Sequence, residues 1–368
     1  MKKVLFFIDS LGYGGAEKVL VNLLNNLDKN KYDITLLTIF DGGVNEKYLS
    51  TNVKRKSIFR KVFRGNVMLF KCIPRRLLYR MFVKEHYDIA VAFLEGNTTR
   101  IISGCPYADT KKLAWIHVEM SKKSFDHLFR SEKEAIKIYS SFDRIVGVSK
   151  TVLDSFVENT KQWDTLEVKY NVVDSDYIRK CADEEITDIK MDREAFNIIS
   201  VGRLIEQKSY KRLINIQMQL RKNGYNTHLY IIGEGGQKKE LAAMIEDYGL
   251  RENTFLLGFK DNPWKYVKKA DLFVCSSWKE GFSTAVSEAL IIGTPVVTTL
   301  CSGMDEMLGD SEYGLVVDND ERALYDGIEK FINDKVLLRY YGNKANERGR
   351  YFDMKTTVNS VEKLLDEV

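Results

Sequence analysis

Short continuous apolar runs alternate with stretches whose apolar residues recur at helical spacing, and the alternation persists along the whole chain. Runs at residues 4–8, 34–39, 87–94, 111–116 and 143–148 fill the first half, and runs at 196–201, 229–232, 254–257, 271–275 and 315–317 the second. An unbroken apolar run is what a parallel strand buried on both faces requires. Between the runs lie helical patterns such as 16–27, where Val19, Leu20, Leu23, Leu24 and Leu27 make one face. Strands alternating with helices predict parallel sheets covered by helices, an α/β fold. A chain of 368 residues fits two domains of ordinary size. The boundary is expected near residue 172, where Asn171-Val172-Val173-Asp174 precedes a charged, surface-like stretch at 181–193.

The most informative stretch is 271–299, which reads as strand, turn, helix, strand. A turn with Lys279 and Glu280 follows the strand, and a helical pattern begins at Phe282, with Ala285, Val286, Ala289, Leu290 and Ile291 as its apolar face. Gly293 and Pro295 end it. The free amides of Phe282, Ser283 and Thr284 at that helix start are expected to form an anion site, for a phosphate above all. Glu288, about a turn and a half further in, is placed to accept both hydroxyls of a ribose diol. The alternative is two solvated charges, since carboxylates usually face water.

Three other loops follow strands. Gly12, Gly14 and Gly15 precede the first helix and let a backbone approach a ligand closely. They miss the Gly-x-Gly-x-x-Gly spacing of a dinucleotide fingerprint, and a plain tight turn is an equal reading. His117 ends the run at 111–116, either at a binding edge or as a buried, hydrogen-bonded histidine. Gly202-Arg203-x4-Lys208 follows the run at 196–201, and two fixed cations there suit a diphosphate and its departing charge. Gly233 and Phe259 end the next two runs and are expected to flank a nucleoside.

Glu280-x7-Glu288 with the following Gly-Thr-Pro-Val-Val turn, and Gly202-Arg203-x4-Lys208, together resemble glycosyltransferase family 4. The resemblance is close over 196–332 and looser over 4–24 and 115–119. It implies a GT-B fold: two Rossmann-like domains with parallel sheets facing a cleft. Residues 1–171 would bind the acceptor, with the helix of 350–368 returning to them, and residues 172–349 would bind the nucleotide sugar. The implied activity is retaining transfer from a nucleotide sugar, by family frequency a UDP-sugar, to a lipid-linked or growing surface-polysaccharide acceptor such as a capsule. The implied catalytic set is Glu280, His117, Arg203 and Lys208. Gly14, Gly15, Gly233, Phe259, Phe282, Ser283, Thr284 and Glu288 join Arg203, Lys208 and Glu280 at the donor. The step implied is same-face substitution, with the donor phosphate taking the acceptor proton, so no cofactor or metal is expected. Asp174-Ser175-Asp176 and Asp318-Asn319-Asp320 keep a metal-dependent rival open. A nucleotide-sugar epimerase or a non-catalytic partner protein could carry the same fold. Where the family has glycine after the lysine, this chain has Ser209, and a left-handed backbone there would be strained.

Charge changes the picture in one place. The net charge is only +4. Residues 54–84, however, hold eleven Lys and Arg and no acid until Glu85, interleaved with Phe59, Phe63, Met68, Leu69, Phe70, Leu77, Met81 and Phe82. Such a mixture predicts contact with an anionic membrane surface. An acidic acceptor sugar, nucleic acid, or a packed helix with a solvated basic face would use the same residues, and no nucleic-acid recognition module is present. The five cysteines form no Cys-x-x-Cys pair, which suits a reducing cytoplasm. No apolar run reaches spanning length. Attachment to the inner face of the cell membrane from the cytoplasm is the expectation.

Overall fold

A computed structural model describes residues 1–368 except Tyr13, Arg64, Gln162 and Trp163, and without the side chains of Val67, Lys122, Lys123 and Ser124. Arg64 of the basic segment and Tyr13 of the glycine loop thus lie outside the described residues. The chain divides into two compact units, Met1–Val172 with Met354–Val368, and Val173–Asp353.

Unit 1 is built on seven strands: β1 (Lys2–Ile8), β2 (Tyr32–Phe40), β3 (Lys54–Phe59), β4 (Ile89–Ala92), β5 (Lys111–Ile116), β6 (Arg144–Gly147) and β7 (Leu166–Val168). They pair in the order β3-β2-β1-β4-β5-β6-β7, each pair parallel. Central β1 and β4 are buried along their apolar lengths, as their unbroken runs require. The order reverses between β1 and β4, and such a switch point opens a crevice at the carboxyl ends of the strands. The last helix, Met354–Glu367, belongs to this unit. Glu362 accepts from the Asp28 amide at 2.7 Å, and Asp366 from the Tyr32 hydroxyl at 2.6 Å.

The basic segment proves to be three elements. Lys54–Phe59 is the edge strand β3, and helices Asn66–Cys72 and Arg75–Phe82 follow. The strand is not evident from sequence, because Lys-Arg-Lys-Ser does not read as an apolar run. Its cations are paired: Lys54 with Asp33, Arg55 with Asp41 and Glu46, Lys56 with Glu85. The phenylalanines of the segment pack on one another. Phe59 lies against Phe63 and Phe82 at centroid distances of 5.2 and 5.8 Å, and Phe70 against Phe82 at 6.0 Å.

Unit 2 has six strands: β8 (Phe196–Val201), β9 (Thr227–Ile232), β10 (Thr254–Gly258), β11 (Leu272–Cys275), β12 (Val296–Thr299) and β13 (Leu315–Val317). They order as β10-β9-β8-β11-β12-β13, all parallel, with the switch point between β8 and β11. One core joins Ile198, Leu229, Ile231, Leu272 and Val274 of the sheet to Leu213, Ile216 and Leu220 of helix Tyr210–Lys222 and to Leu324 and Ile328 of helix Glu321–Asn333. The two Asp-x-Asp matches are local caps. Asp174 accepts from the Tyr177 amide at 3.0 Å and Asp320 from the Ala323 amide at 2.8 Å, each opening a helix.

Ser209 is held at φ 53°, ψ 42°, the left-handed region, where it joins the turn of Lys208 to the next helix. A side chain there costs about 1–2 kcal/mol. Glycine removes that strain but loses about 0.5–1 kcal/mol to unfolded-state entropy. Ser209→Gly should therefore stabilise the protein by up to about 1 kcal/mol, a rise in Tm of roughly 2–4 °C. A thermal melt checks it; an unchanged or lowered Tm would show that the serine side chain contributes more than its backbone costs.

Candidate active site

In unit 2 the predicted residues lie at the carboxyl ends of four adjacent strands: Phe259 after β10, Gly233 after β9, Arg203 and Lys208 after β8, and Glu280 after β11. Gly233 adopts φ +152°, and a Cβ there would collide with the Gly202 carbonyl, so the loops after β8 and β9 touch only because this position is glycine. Phe259 is half exposed.

The centre of the arrangement is an ion pair between part-buried Lys208 and buried Glu280. Lys208 Nζ donates to Glu280 Oε1, and Ser277 Oγ donates to the same oxygen at 2.6 Å. Burial would pull the Lys208 ammonium down, but the Glu280 carboxylate outweighs it and the net shift is upward, so Lys208 stays charged. Burial also raises the Cys275 thiol beside the pair, which keeps it neutral. Arg203 is different. Its guanidinium is exposed, has no hydrogen bond or ion pair with any described residue, and acts on Lys208 only through its charge.

The turn bearing Glu280 is tied down on all sides. Arg212, buried, donates to the Ser276 carbonyl and to Asn319 Oδ1 at 3.0 Å, and stacks under the Trp278 indole at 4.0 Å. Asn319 Nδ2 reaches the carbonyls of Trp278 and Leu300 at 3.1 Å each, and Thr299 Oγ1 reaches that of Ser277 at 2.7 Å. The Trp278 amide donates to the Gln207 carbonyl at 2.8 Å, which fastens the Glu280 turn to the Lys208 turn. Sequence reading missed Ser277, Arg212 and Asn319, because each is defined by partners brought to it by the fold.

The helix of the central motif runs Thr284–Ile292, two residues later than the pattern predicted, with Ser283 as its cap. The Ser283 hydroxyl accepts from the Val286 amide. With Val286 capped, the amides that cannot bond within the helix are those of Ser283, Thr284 and Ala285. The Phe282 ring packs edge-on against Phe352 at 5.8 Å. Glu288 is buried on this helix, and its Oε2 accepts from Trp264 Nε1 at 2.8 Å.

In unit 1, Gly14 and Gly15 open helix Gly15–Asn26 after β1. The Glu17 carboxyl folds back over Gly14, where a Cβ would collide with it. His117 follows β5 and is buried. Its ring lies against Phe93 with centroids 4.8 Å apart, and its Nε2 is buried with no hydrogen-bond partner among the described residues. Burial pulls the imidazole down to about 4, against a smaller upward influence of the Phe93 backbone, so it is neutral at physiological pH. Two acids not singled out from sequence stand at the same sheet edge. Glu95, after β4, accepts from the amides of His117 at 2.5 Å and Val118 at 3.1 Å, while burial raises its pKa. Asp9, after β1, is pushed up to about 6 by burial and by Glu17 and Glu95, and its Oδ1 has no hydrogen-bond partner among the described residues. The only sequence signal for either was an acid close behind an apolar run.

The family model "Glycosyltransferase Family 4" matches residues 13–177, and "Glycosyl transferases group 1" matches 182–348. One curated relative, from Campylobacter jejuni, is 32% identical over 96% of this chain and 96% of its own length. Its name is N-acetylgalactosamine-N,N'-diacetylbacillosaminyl-diphospho-undecaprenol 4-alpha-N-acetylgalactosaminyltransferase. A second from the same organism, an alpha-1,4-N-acetyl-D-galactosaminyltransferase named for a GalNAc-containing PP-undecaprenol acceptor, is 25% identical over 100% of this chain and 99% of its own. Among solved structures, Anabaena HepE in complex with UDP and glucose superposes with a TM-score of 0.80 at 18% identity, each chain covered completely. Staphylococcus aureus TarM superposes with a TM-score of 0.75 at 17% identity, over 100% of this chain and 99% of that one. These two likenesses establish the fold, GT-B.

The pH dependence of stability follows from unit 1. His117 refuses a proton down to about pH 4 that the unfolded chain binds below about 6.5. Its contribution is therefore full above 6.5 and is lost as pH falls towards 4, about 3 kcal/mol in all. Asp9 works in the opposite sense, since its folded pKa is raised from 3.8 to about 6. It stabilises at low pH and loses that contribution as pH rises through 6. Melting temperatures between pH 4 and 7 should fall less steeply on the acid side in His117→Gln and more steeply in Asp9→Asn. Parallel profiles in all three proteins would refute the assignment.

Proposed function

The chain belongs to the GT-B glycosyltransferases of family 4, and from that premise we propose that it transfers a sugar with retention from a UDP-sugar, without a metal, to a saccharide on a polyprenyl diphosphate. The observation that bears most weight is the pairing of part-buried Lys208 with buried Glu280, beside Arg203, which has no ion pair with any described residue. A leaving nucleoside diphosphate gains negative charge as its bond to the sugar breaks. Fixed cations already in place stabilise that charge without reorganisation. Arg203 offers a planar fork for two phosphate oxygens, and Lys208 a point charge. The amides of Ser283, Thr284 and Ala285 add the positive end of a helix.

In the proposed step the bond from the anomeric carbon to the diphosphate oxygen breaks as the acceptor oxygen bonds to the same face. The acceptor proton passes to a phosphate oxygen, so no side chain must serve as base. Glu280 orients the donor sugar, Glu288 binds the ribose, and His117 touches the sugar. Support for retention comes from the two Campylobacter names, both of which specify alpha linkage. Those names also support the lipid-linked acceptor.

The membrane reading narrows with the structure. Val62, Met68, Leu69, Leu77 and Met81 are exposed, and on helix Arg75–Phe82 exposed Arg76 and Arg80 flank Leu77 and Met81. Because β3 has its cations paired, the proposed membrane face is 60–84. No helix among the described residues is long and apolar enough to cross a membrane.

Arg203→Ala isolates the phosphate role, since that side chain supports nothing else among the described residues. It should lower kcat by about 10²–10³, on the order of 3 kcal/mol, with Tm unchanged. Calorimetric titration of the wild type in EDTA should show UDP binding in preference to GDP. Turnover unaffected by Arg203→Ala removes the phosphate assignment, and a requirement for added manganese removes the metal-free one. Sedimentation with phosphatidylglycerol vesicles should retain the wild type at low salt and release it at high salt. Leu77→Ser with Arg80→Glu should abolish retention; equal retention of both proteins would place the contact elsewhere.

A further inference from the structure

We propose that Trp264 is a positioning residue for the nucleotide site: its indole N–H fixes the Glu288 carboxylate so that the enzyme selects an intact ribose diol. The proposal rests on the reading of Glu288 as the ribose ligand. Trp264 is 3% exposed and Glu288 8%. At that depth an indole N–H needs an acceptor and a carboxylate needs donors. The 2.8 Å bond from Nε1 to Oε2 meets both needs.

The kind of donor matters. A lysine or arginine in this place would satisfy Glu288 and also neutralise it, as Lys208 does for Glu280. The indole donates one bond, carries no charge and does not titrate. It fixes one oxygen and the plane of the carboxylate without bringing a charge of its own. A carboxylate offers about four lone-pair directions, and one indole bond takes one. Vicinal hydroxyls, which are neutral donors, are what such a held carboxylate recognises.

Trp264 is itself anchored. It begins helix Trp264–Lys269, preceded by Pro263, whose ring presets the first helical φ. Thr294 Oγ1 donates to the Val267 carbonyl at 3.0 Å, which ties this helix to the chain just beyond the helix carrying Glu288. On the other side Asn262 Nδ2 donates to the Cys181 carbonyl at 2.8 Å and to Glu184 at 2.9 Å. The Tyr177 ring closes edge-on over the indole, with centroids 5.6 Å apart and planes at 87°. An indole wanted only for packing would not need its nitrogen aimed at the one buried carboxylate on helix Thr284–Ile292.

The test is calorimetry with UDP, 2′-deoxy-UDP and 3′-deoxy-UDP on wild type, Glu288→Ala and Trp264→Phe, each with a thermal melt. Phenylalanine keeps a ring against Tyr177 and removes the donor. Wild type should bind UDP better than either deoxy analogue, and Glu288→Ala should erase the difference. Trp264→Phe should weaken UDP about five- to tenfold, the range for one buried hydrogen bond, and should bring the UDP-to-deoxy ratio close to that of Glu288→Ala. Should Trp264→Phe weaken all three ligands alike, or only lower Tm, Trp264 is a packing residue and the proposal falls while the ribose reading stands. If instead wild type does not distinguish the deoxy analogues, or does not bind UDP, the ribose reading itself fails and the proposal with it.

Discussion

Burying a lysine and a glutamate is costly unless each finds the other, and the Lys208–Glu280 pair sets the terms for the rest of the second unit. The attraction offsets desolvation only when geometry is fixed and remaining lone pairs are met. Ser277 supplies a second donor to the same carboxylate oxygen. Arg212, Asn319, Thr299 and Gln207 hold the two turns at constant separation. The bonds to those carbonyls are otherwise hard to explain, since a surface turn can satisfy its backbone with water. Here the turn is wedged between strands, and protein groups replace the water.

A pair of this kind also has a chemical consequence. Lys208 keeps its charge despite burial because Glu280 is beside it. In the reaction proposed above, a diphosphate would meet an ammonium that is already protonated and held in place by its counter-ion. Arg203, exposed and without an ion pair to any described residue, is instead open to water. Two cations within one loop are thus prepared in different ways, one by preorganisation and one by availability. Removing Lys208 would strand a buried carboxylate and damage the fold as well as the chemistry. For that reason Arg203 is the cleaner probe of what the positive charge does.

Much of this was legible in the sequence. Apolar runs marked most of the thirteen strands, because buried parallel strands leave no polar alternation to confuse them. Glu280, Glu288, Arg203 and Lys208 stood out because each lies next to a strand or helix end with glycines that only a turn would use. What was hidden depends on distance along the chain. β3 looked like charged surface because its cations find acids in other segments: Lys54 with Asp33, Lys56 with Glu85. Glu95 reads as an ordinary acid until the His117 and Val118 amides, more than twenty residues on, close over it. Ser209 was readable as a conflict between residue type and turn geometry, and the backbone does adopt the left-handed region there.

The two glutamates of the central motif are chemically identical, and their neighbours give them different work. Glu280 sits against an ammonium and a hydroxyl, so it is a counter-ion first, and any substrate contact it makes must compete with Lys208. Glu288 is held at one oxygen by a neutral indole, a donor that adds no charge of its own. A spacing of seven residues places the two on either side of a helix start, but spacing alone says nothing of this division. It arises from what the rest of the fold brings to each carboxylate: a loop lysine from the strand next door in one case, a tryptophan at the head of a neighbouring helix in the other.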